Sequence, residues 1–385
     1  MKTTIVLSYQ NYELSILVFG VSNKQLNLVY DKQIGAWDLL AIQDDMTIAN
    51  IKSRVHQVLP SIKQKFPEVG SNVYVLVDGT KEGARGALTV EARVMNITVN
   101  VPNKHAINME DLKKIDKDAY SRSAAIEGKT YTGFLTEGYQ VGGREIKKPL
   151  DQIVVDNFKV IGSHHYVSTG LIQIFQTIFE DTPYNIRAIY DTDYVFKKFL
   201  RIPQNSGIVE VGRKDTKFYV NNDHSIQTIC TAIGLVNFFN NTFDNLAESY
   251  EQDLSQQAVF FLKQHFVFGQ QRDELMINDQ ISYNEATNIF RNVLINYFEY
   301  FYKELRKGHY HINDFQLIVN GYDSQELAEL LTQTTDLQVT PFKVTEQTFT
   351  PGICSPDQLA ILGISKLKAM LVMQDIVTYR NWEIR

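Results

Sequence analysis

The residues best placed to do chemistry stand in Gly207 to Val220, GIVEVGRKDTKFYV. Two apolar runs flank a polar centre holding Glu210, Gly212, Arg213, Lys214 and Asp215, the pattern of strand, turn and strand. Such a turn gathers carboxylates, two cations and a glycine at one tip. Thr4 to Gly20, TIVLSYQNYELSILVFG, repeats the plan with Ser8, Gln10 and Asn11 at its centre. Two hairpins, one opening each half of the chain, point to an internally duplicated fold. Other reactive side chains assemble less. His164 and His165 are neighbours on a strand pattern, so their rings face opposite sides and cannot share a metal. His309 and His311 share a face of any extended segment, but no nearby acid or cysteine run completes a metal site. Cys230 and Cys354 have no CxxC spacing, and neither a GxSxG stretch nor a serine, histidine and acid grouping is present.

Positioning these tips takes a full set of elements. The 385 residues exceed the usual size of one domain, which predicts two. Apolar residues at 44% can fill both cores, while 21% charged residues and a net charge of -6 give no basic footprint for nucleic acid. The start lacks a signal-peptide apolar run and no stretch approaches the ~20 apolar residues of a membrane span, so a reducing cytoplasm is expected. Helical spacing is predicted over Thr47–Phe66, Met109–Ser121, Thr169–Phe179, Ile226–Leu246, Leu254–Phe268 and Tyr283–Lys307, and from Ser355 through Leu367. Ser282 and Glu285 form a capping box for the sixth of these, and Asp323 with Glu326 caps a further one. Strands are predicted over Asn72–Val77, Ala92–Val101, Tyr131–Val141, Ile153–Val167, Ile186–Tyr190 and Phe315–Val319.

The order of these parts resembles the actin and Hsp70 type of nucleotide-binding fold, and more closely FtsA, the bacterial cell-division actin that tethers FtsZ filaments to the membrane. The residues from NVYVLVDG through FLTEGYQVGGREIKKPL carry most of that likeness. Glu137, Gly138, Tyr139, Val141, Gly143, Ile146 and Pro149 match the small subdomain peculiar to FtsA, whose usual proline and NPxG glycine are replaced. The resemblance implies an α/β, actin-like (Hsp70/actin ATPase type) duplicated two-domain fold with a small α+β subdomain inserted in the first half. Residues 1–68 and 167–200 would form the first domain, 69–166 the insertion, and 201–240 with 309–368 the second domain. Residues 241–308 would be its helical subdomain and 369–385 a C-terminal tail.

The same resemblance implies ATP and Mg at the hairpins. Ser8, Gln10 and Asn11 stand at the first phosphate loop, where the family's acid, glycine and lysine are replaced. Glu210, Gly212, Arg213, Lys214 and Asp215 stand at the second, and Asn320, Gly321 and Tyr322 at the adenosine loop. Arg213 and Lys214 can pair with phosphate, close the cleft by bulk, or be solvated turn residues. These departures bear on hydrolysis more than on binding. A nucleotide-dependent actin-like ATPase of plasmid segregation or cell shape, and a nucleotide-free actin-fold scaffold, are the alternatives to an FtsA-like adaptor.

As partners the resemblance implies the FtsZ C-terminal peptide, further copies in a filament and later division proteins. Arg291, Lys303, Arg306 and Lys307 would meet an acidic peptide. The tail repeats Ala369, Val372, Met373, Ile376, Tyr379 and Trp382 at helical spacing, so Tyr379, Arg380, Trp382 and Arg385 could touch lipid at the inner face of the membrane. The competing expectation is that Ala369–Val377 is one more core helix.

Overall fold

A computed structural model describes the chain from Lys2 to Tyr379 apart from residues 23–24, 40–41, 43, 79–80, 83–85, 88, 102–108, 147–153, 223–224, 251–275, 277–280, 308–309, 311, 321–323, 346–353, 355–357 and 360. It divides into two compact units, Met1–Phe199 with Pro351–Arg385, and Leu200–Thr350. Along the chain the first unit runs β1 (Lys2–Gln10), β2 (Glu13–Ser22), β3 (Gln25–Ala36), α1 (Asp45–Lys65), β4 (Asn72–Val77), β5 (Lys81–Glu82), β6 (Gly86–Ala87) and β7 (Thr89–Asn100). It continues with α2 (Met109–Ser121), β8 (Lys129–Val141), β9 (Arg144–Ile146), β10 (Asn157–Ser168), α3 (Thr169–Phe179), β11 (Asn185–Asp191) and α4 (Thr192–Phe199). The second unit holds β12 (Ser206–Val211), β13 (Thr216–Asn222), β14 (Ser225–Thr231), α5 (Leu235–Tyr250), α6 (Tyr283–Lys307), β15 (Asp314–Val319), α7 (Gln325–Thr334) and β16 (Gln338–Pro341). The chain then returns to the first unit for α8 (Ile364–Tyr379).

The duplication is visible in the two main sheets. The first has the order β11-β4-β1-β2-β3 and the second β16-β15-β12-β13-β14. In each, an antiparallel three-strand meander opens the unit, and two further strands add in parallel beside its first strand. Alternation along the strands sends one face to a helical layer. In the first unit Ile5, Leu7, Leu14, Ile16 and Val18 meet Ile51, Val55 and Leu59 of α1 and Leu171, Phe175 and Ile178 of α3. In the second, Val209, Val211, Phe218 and Val220 meet Phe238, Phe239 and Phe243 of α5 and Phe290, Leu294, Phe298 and Phe301 of α6. Each fully buried Phe contributes about 1.5–3 kcal/mol relative to an exposed one, so these aromatic stripes dominate the second core.

Helix α6 shows why local sequence suffices for some elements. The Ser282 N–H donates to Glu285 Oε2 at 3.1 Å and the Glu285 N–H to Ser282 Oγ at 3.2 Å, satisfying two donors at the helix start. Apolar residues then recur on the buried face through Leu305. The inserted sheet, ordered β7-β10-β8-β9, packs Ile97, Val99, Phe134, Phe158 and Val160 against Ile115 and Ala119 of α2.

Several expectations change. β4 is not part of the insertion: its buried run NVYVLV pairs in parallel with β1 on one side and β11 on the other. The helix expected over Ile226–Leu246 is split, because Ile226, Thr228 and Cys230 alternate as β14 before Gly234 separates it from α5. Of the helix expected from Ser355 through Leu367, Gln358 and Leu359 are helical, a break at Ile361–Gly363 precedes α8 at Ile364, and 355–357 and 360 lie outside the described residues; 351–368 groups with the first unit rather than the second. Expected helix Leu254–Phe268 lies outside the described residues.

Helix α8 settles the choice posed for the tail up to Ile376. Ala369, Leu371, Val372, Met373 and Ile376 are all buried, which is the character of a core helix and leaves none of that stripe for lipid. Lys368 Nζ pairs with Asp193 Oδ1 at 2.5 Å and lies 5.2 Å from the Phe196 ring, and Lys198 Nζ pairs with Asp375 Oδ1 at 2.7 Å. Both ion pairs fasten α8 to α4. The side chain of Tyr379, and Arg380, Trp382 and Arg385, lie outside the described residues.

Candidate functional site: two hairpin turns and a helical groove

The β1–β2 turn is as short as a hairpin allows. Gln10 pairs with Glu13, leaving Asn11 and Tyr12 as the turn, both left-handed with φ of 51° and 63°. The Asn11 N–H donates to Asp78 Oδ2 at 2.6 Å, and the Tyr12 carbonyl accepts from the Trp37 N–H at 2.9 Å. Gln10 Nε2 donates to Ser8 Oγ at 2.7 Å and to the Ser365 carbonyl at 2.9 Å. Just before the turn, the Tyr9 hydroxyl donates to the Trp37 carbonyl at 3.0 Å and accepts from the Leu39 N–H at 3.2 Å. Burial pushes the Tyr9 phenol well above its ordinary value, so it stays protonated as a structural donor.

The β12–β13 turn is wider and anchored differently. Val211 pairs with Thr216, and the Gly212 N–H donates to the Asp215 carbonyl at 2.8 Å, placing Arg213 and Lys214 at the tip. The carbonyls of Gly212 and Arg213 accept the N–H groups of Leu235 and Val236 at 3.0 and 2.9 Å. The turn thereby caps the first residues of α5, using amides that a helix start otherwise leaves unpaired. Gly234 is required there: a Cβ would fall 2.5 Å from the Asp215 nitrogen and 2.7 Å from the Gly212 oxygen. Arg213 is exposed and Lys214 half-buried, whereas Glu210, Asp215 and Lys217 are buried. Glu210 Oε2 accepts from the Tyr219 hydroxyl at 2.9 Å, and Lys217 stands directly across the ladder from Glu210. The Asn320 N–H donates to the Val211 carbonyl at 3.0 Å, while Gly321 and Tyr322 lie outside the described residues.

A phosphate cradle needs backbone N–H groups open to an anion. The first turn meets that requirement less well: its Asn11 amide is already spent on a carboxylate, and Gln10 binds Ser8 and the first turn of α8. The second keeps two cations at its tip, but its carbonyls point into a helix start, and Glu210 holds a phenol. Taken separately, the β1–β2 turn has its Asn11 amide closed to a phosphate, and no group of three or more metal-ligating side chains lies together among the described residues.

The histidine pair is structural. His164 meets the Phe134 and Tyr131 rings while His165 meets Tyr194 at 4.2 Å, on the other side of β10. Burial, helped by Lys197 and His164, pushes the His165 imidazole down to about 3. His309 and His311 lie outside the described residues. Burial also pushes the Cys354 thiol up to about 12, so it is no nucleophile, and Cys230 lies with its Sγ 3.8 Å from Asp215 Oδ2.

Helices α5 and α6 border a groove of about 560 Å³. Asn241, Asp244 and Asn245 line one side and Val293, Asn296, Tyr297 and Tyr300 the other, with Asn241 Nδ2 donating to the Tyr297 hydroxyl at 2.5 Å. Tyr300 is 54% exposed and marks the groove as the aromatic face of the pair. Val293, Asn296, Tyr300, Lys303 and Lys307 follow one another at three- and four-residue spacing, so both exposed lysines continue this stripe. Lys303 Nζ is 3.9 Å from Glu299 Oε2, and the Arg306 guanidinium covers the Tyr302 ring at 4.4 Å. Arg291 and Tyr300 stand about two and a half turns apart, which puts Arg291 on the opposite side of α6. Sequence spacing predicts α6 but not this face, because only the packing of α5 against α6 brings Asn241, Asp244 and Asn245 beside Tyr300.

No protein-family model matches this sequence, and no curated protein matches it. Solved structures do match. One described as the PilM-PilN type IV pilus biogenesis complex is 12% identical, with a TM-score of 0.52 over 97% of this chain and 98% of that one. MreB5 of Spiroplasma citri bound to ADP is 9% identical, with a TM-score of 0.43 over 100% and 99% of the two chains. A MamK mutant bound to AMPPNP is 9% identical, with a TM-score of 0.42 over 97% and 99%. The duplicated sheets and the first of these likenesses agree that the chain has the actin-like ATPase fold.

Proposed function

We propose that the chain is an actin-fold adaptor of the FtsA kind, which assembles with further copies and links FtsZ filaments to the membrane and to other division proteins. The observation that carries this is the α5–α6 groove, whose α6 stripe runs on into Lys303 and Lys307. An extended peptide would lie along the asparagine amides, rest an apolar residue on Tyr300 and Val293, and lead its acidic end to the two lysines. Asp244 inside the groove selects against acid in the middle of that peptide. Tethering at the inner face of the membrane would rest on the residues after α8, among which Arg380, Trp382 and Arg385 are of the types that meet lipid. Fluorescence anisotropy with a labelled FtsZ C-terminal peptide tests the assignment. Alanine at Lys303 and Lys307 is expected to weaken binding about tenfold and alanine at Arg291 to leave it unchanged, at about 0.7 kcal/mol per lysine. Equal binding by all variants removes it.

A second reading draws on the likeness to the PilM-PilN complex, which spans nearly the whole of both chains. In it the same groove receives a partner of a pilus-type assembly. A chain that ignores the FtsZ peptide but binds a PilN segment with the same lysine and Arg291 pattern favours this second reading.

A further inference from the structure

We infer that the Asp78 carboxylate takes, from within the chain, the place that a phosphate would take at the β1–β2 turn, so that the first unit holds its shape without a nucleotide. Turn geometry is the first support. In a two-residue turn Gln10 and Glu13 spend their backbone groups on each other, and only the amides and carbonyls of Asn11 and Tyr12 remain. The Asn11 amide goes to Asp78 and the Tyr12 carbonyl to Trp37, while Tyr12 itself is buried.

The position of the carboxylate is the second support. Val77 pairs with Tyr9 in the parallel ladder, and the Asp78 N–H donates to the Tyr9 carbonyl at 3.3 Å. The sheet itself thus presents Asp78 to the turn, and the residue is only 3% exposed. A charge-assisted bond of 2.6 Å to a backbone amide is the contact a phosphate oxygen would seek. An arriving phosphate would have to displace a fixed anion of its own sign from a site shielded from water. Side chains supply the third support, since Gln10 Nε2 is committed to the Ser8 hydroxyl and the Ser365 carbonyl. The inference does not depend on which partner occupies the α5–α6 groove.

Calorimetry and thermal shift on the full chain with Mg·ATP and Mg·ADP decide it. No saturable heat and an unchanged Tm are expected up to about 1 mM nucleotide, and a Kd below about 100 µM overturns the inference. The role of Asp78 is read separately by hydrogen exchange over residues 10–13. Asp78→Ala is expected to speed exchange there at least about tenfold while residues 212–216 keep their rate. Asp78→Asn, which retains an acceptor oxygen, covers the case in which the alanine variant does not fold, and should fall between the two. Exchange unchanged in both variants overturns the assignment of Asp78.

Discussion

The two hairpins occupy equivalent places in equivalent sheets and are held by opposite strategies. The β1–β2 turn is closed by residues remote in sequence, Asp78 directly after β4 and the Ser365 carbonyl from the first turn of α8. The β12–β13 turn is closed by its near neighbours, with Gly234, Leu235 and Val236 packed and bonded against Gly212 to Asp215. A duplicated fold can therefore keep its strand plan while its two tips come to depend on different parts of the chain. The first should respond to changes in the α4–α8 pair, and the second should respond only to its own surroundings.

The largest expected effect breaks the remote arrangement. Lys368→Ala leaves Asp193 buried without its cation, and removing one partner of such a pair costs about 3–5 kcal/mol. Urea denaturation should show the loss, and hydrogen exchange should rise over residues 8–13 more than over 212–216. Replacing both partners, Lys368→Met with Asp193→Asn, should recover most of the stability, because the desolvation cost disappears with the charges. Equal loosening of both hairpins would collapse the contrast.

Gly234→Val tests the local arrangement. Its Cβ would press on backbone atoms of Gly212, Lys214 and Asp215 rather than on a flexible side chain, and overpacking of this kind costs about 1–3 kcal/mol. The damage should appear in exchange at 212–216 and at the start of α5, with residues 8–13 unaffected.

Acid should weaken the first unit through His165. Its folded pKa of about 3 is depressed by burial, so between that value and the ordinary ~6.5 the unfolded chain binds a proton that the folded chain does not. Stability is therefore full above about pH 6.5 and falls as the pH drops toward 3, by roughly 2 kcal/mol at pH 5 from this one group. His165→Gln should flatten the Tm profile between pH 7 and 5. A profile as steep as the unaltered protein's would place the acid sensitivity elsewhere.

Much of the fold was legible because several elements are specified within their own span. Tyr283–Lys307, Thr169–Phe179 and Asn72–Val77 agree with α6, α3 and β4 residue for residue, each bounded by a cap, a turn or a full apolar run. β14 was hidden because Ile226, Ile229 and Ile233 also satisfy a helical spacing, and only the pairing with β13 decides for a strand. The β12–β13 tip could be placed from sequence since the bond that closes it, from the Gly212 N–H to the Asp215 carbonyl, lies within the turn itself. The bonds from Asn11 to Asp78 and from Gln10 to Ser365 could not, because no local pattern relates residues that far apart. The burial of α8 was open for a similar reason: its apolar stripe fits a lipid surface or a core, and Lys368 meeting Asp193 is what identifies the core.

The smallest effect sharpens the contrast within the second hairpin itself. Arg213 stands exposed at the tip, while the carbonyl of the same residue is bonded to Val236. Arg213→Ala keeps that carbonyl and the capping of α5, and an exposed cation contributes little even where it is paired, so stability should stay within about 0.5 kcal/mol. Arg213→Pro keeps the carbonyl as well but constrains the backbone of the tip, and should cost more than alanine if the turn, rather than the charge, is what the α5 start requires. Paired urea curves for the two variants separate these contributions. A loss above about 1 kcal/mol in the alanine variant would mean that the guanidinium is part of the packed base, and the second hairpin would then depend on side-chain charge just as the first depends on Asp78.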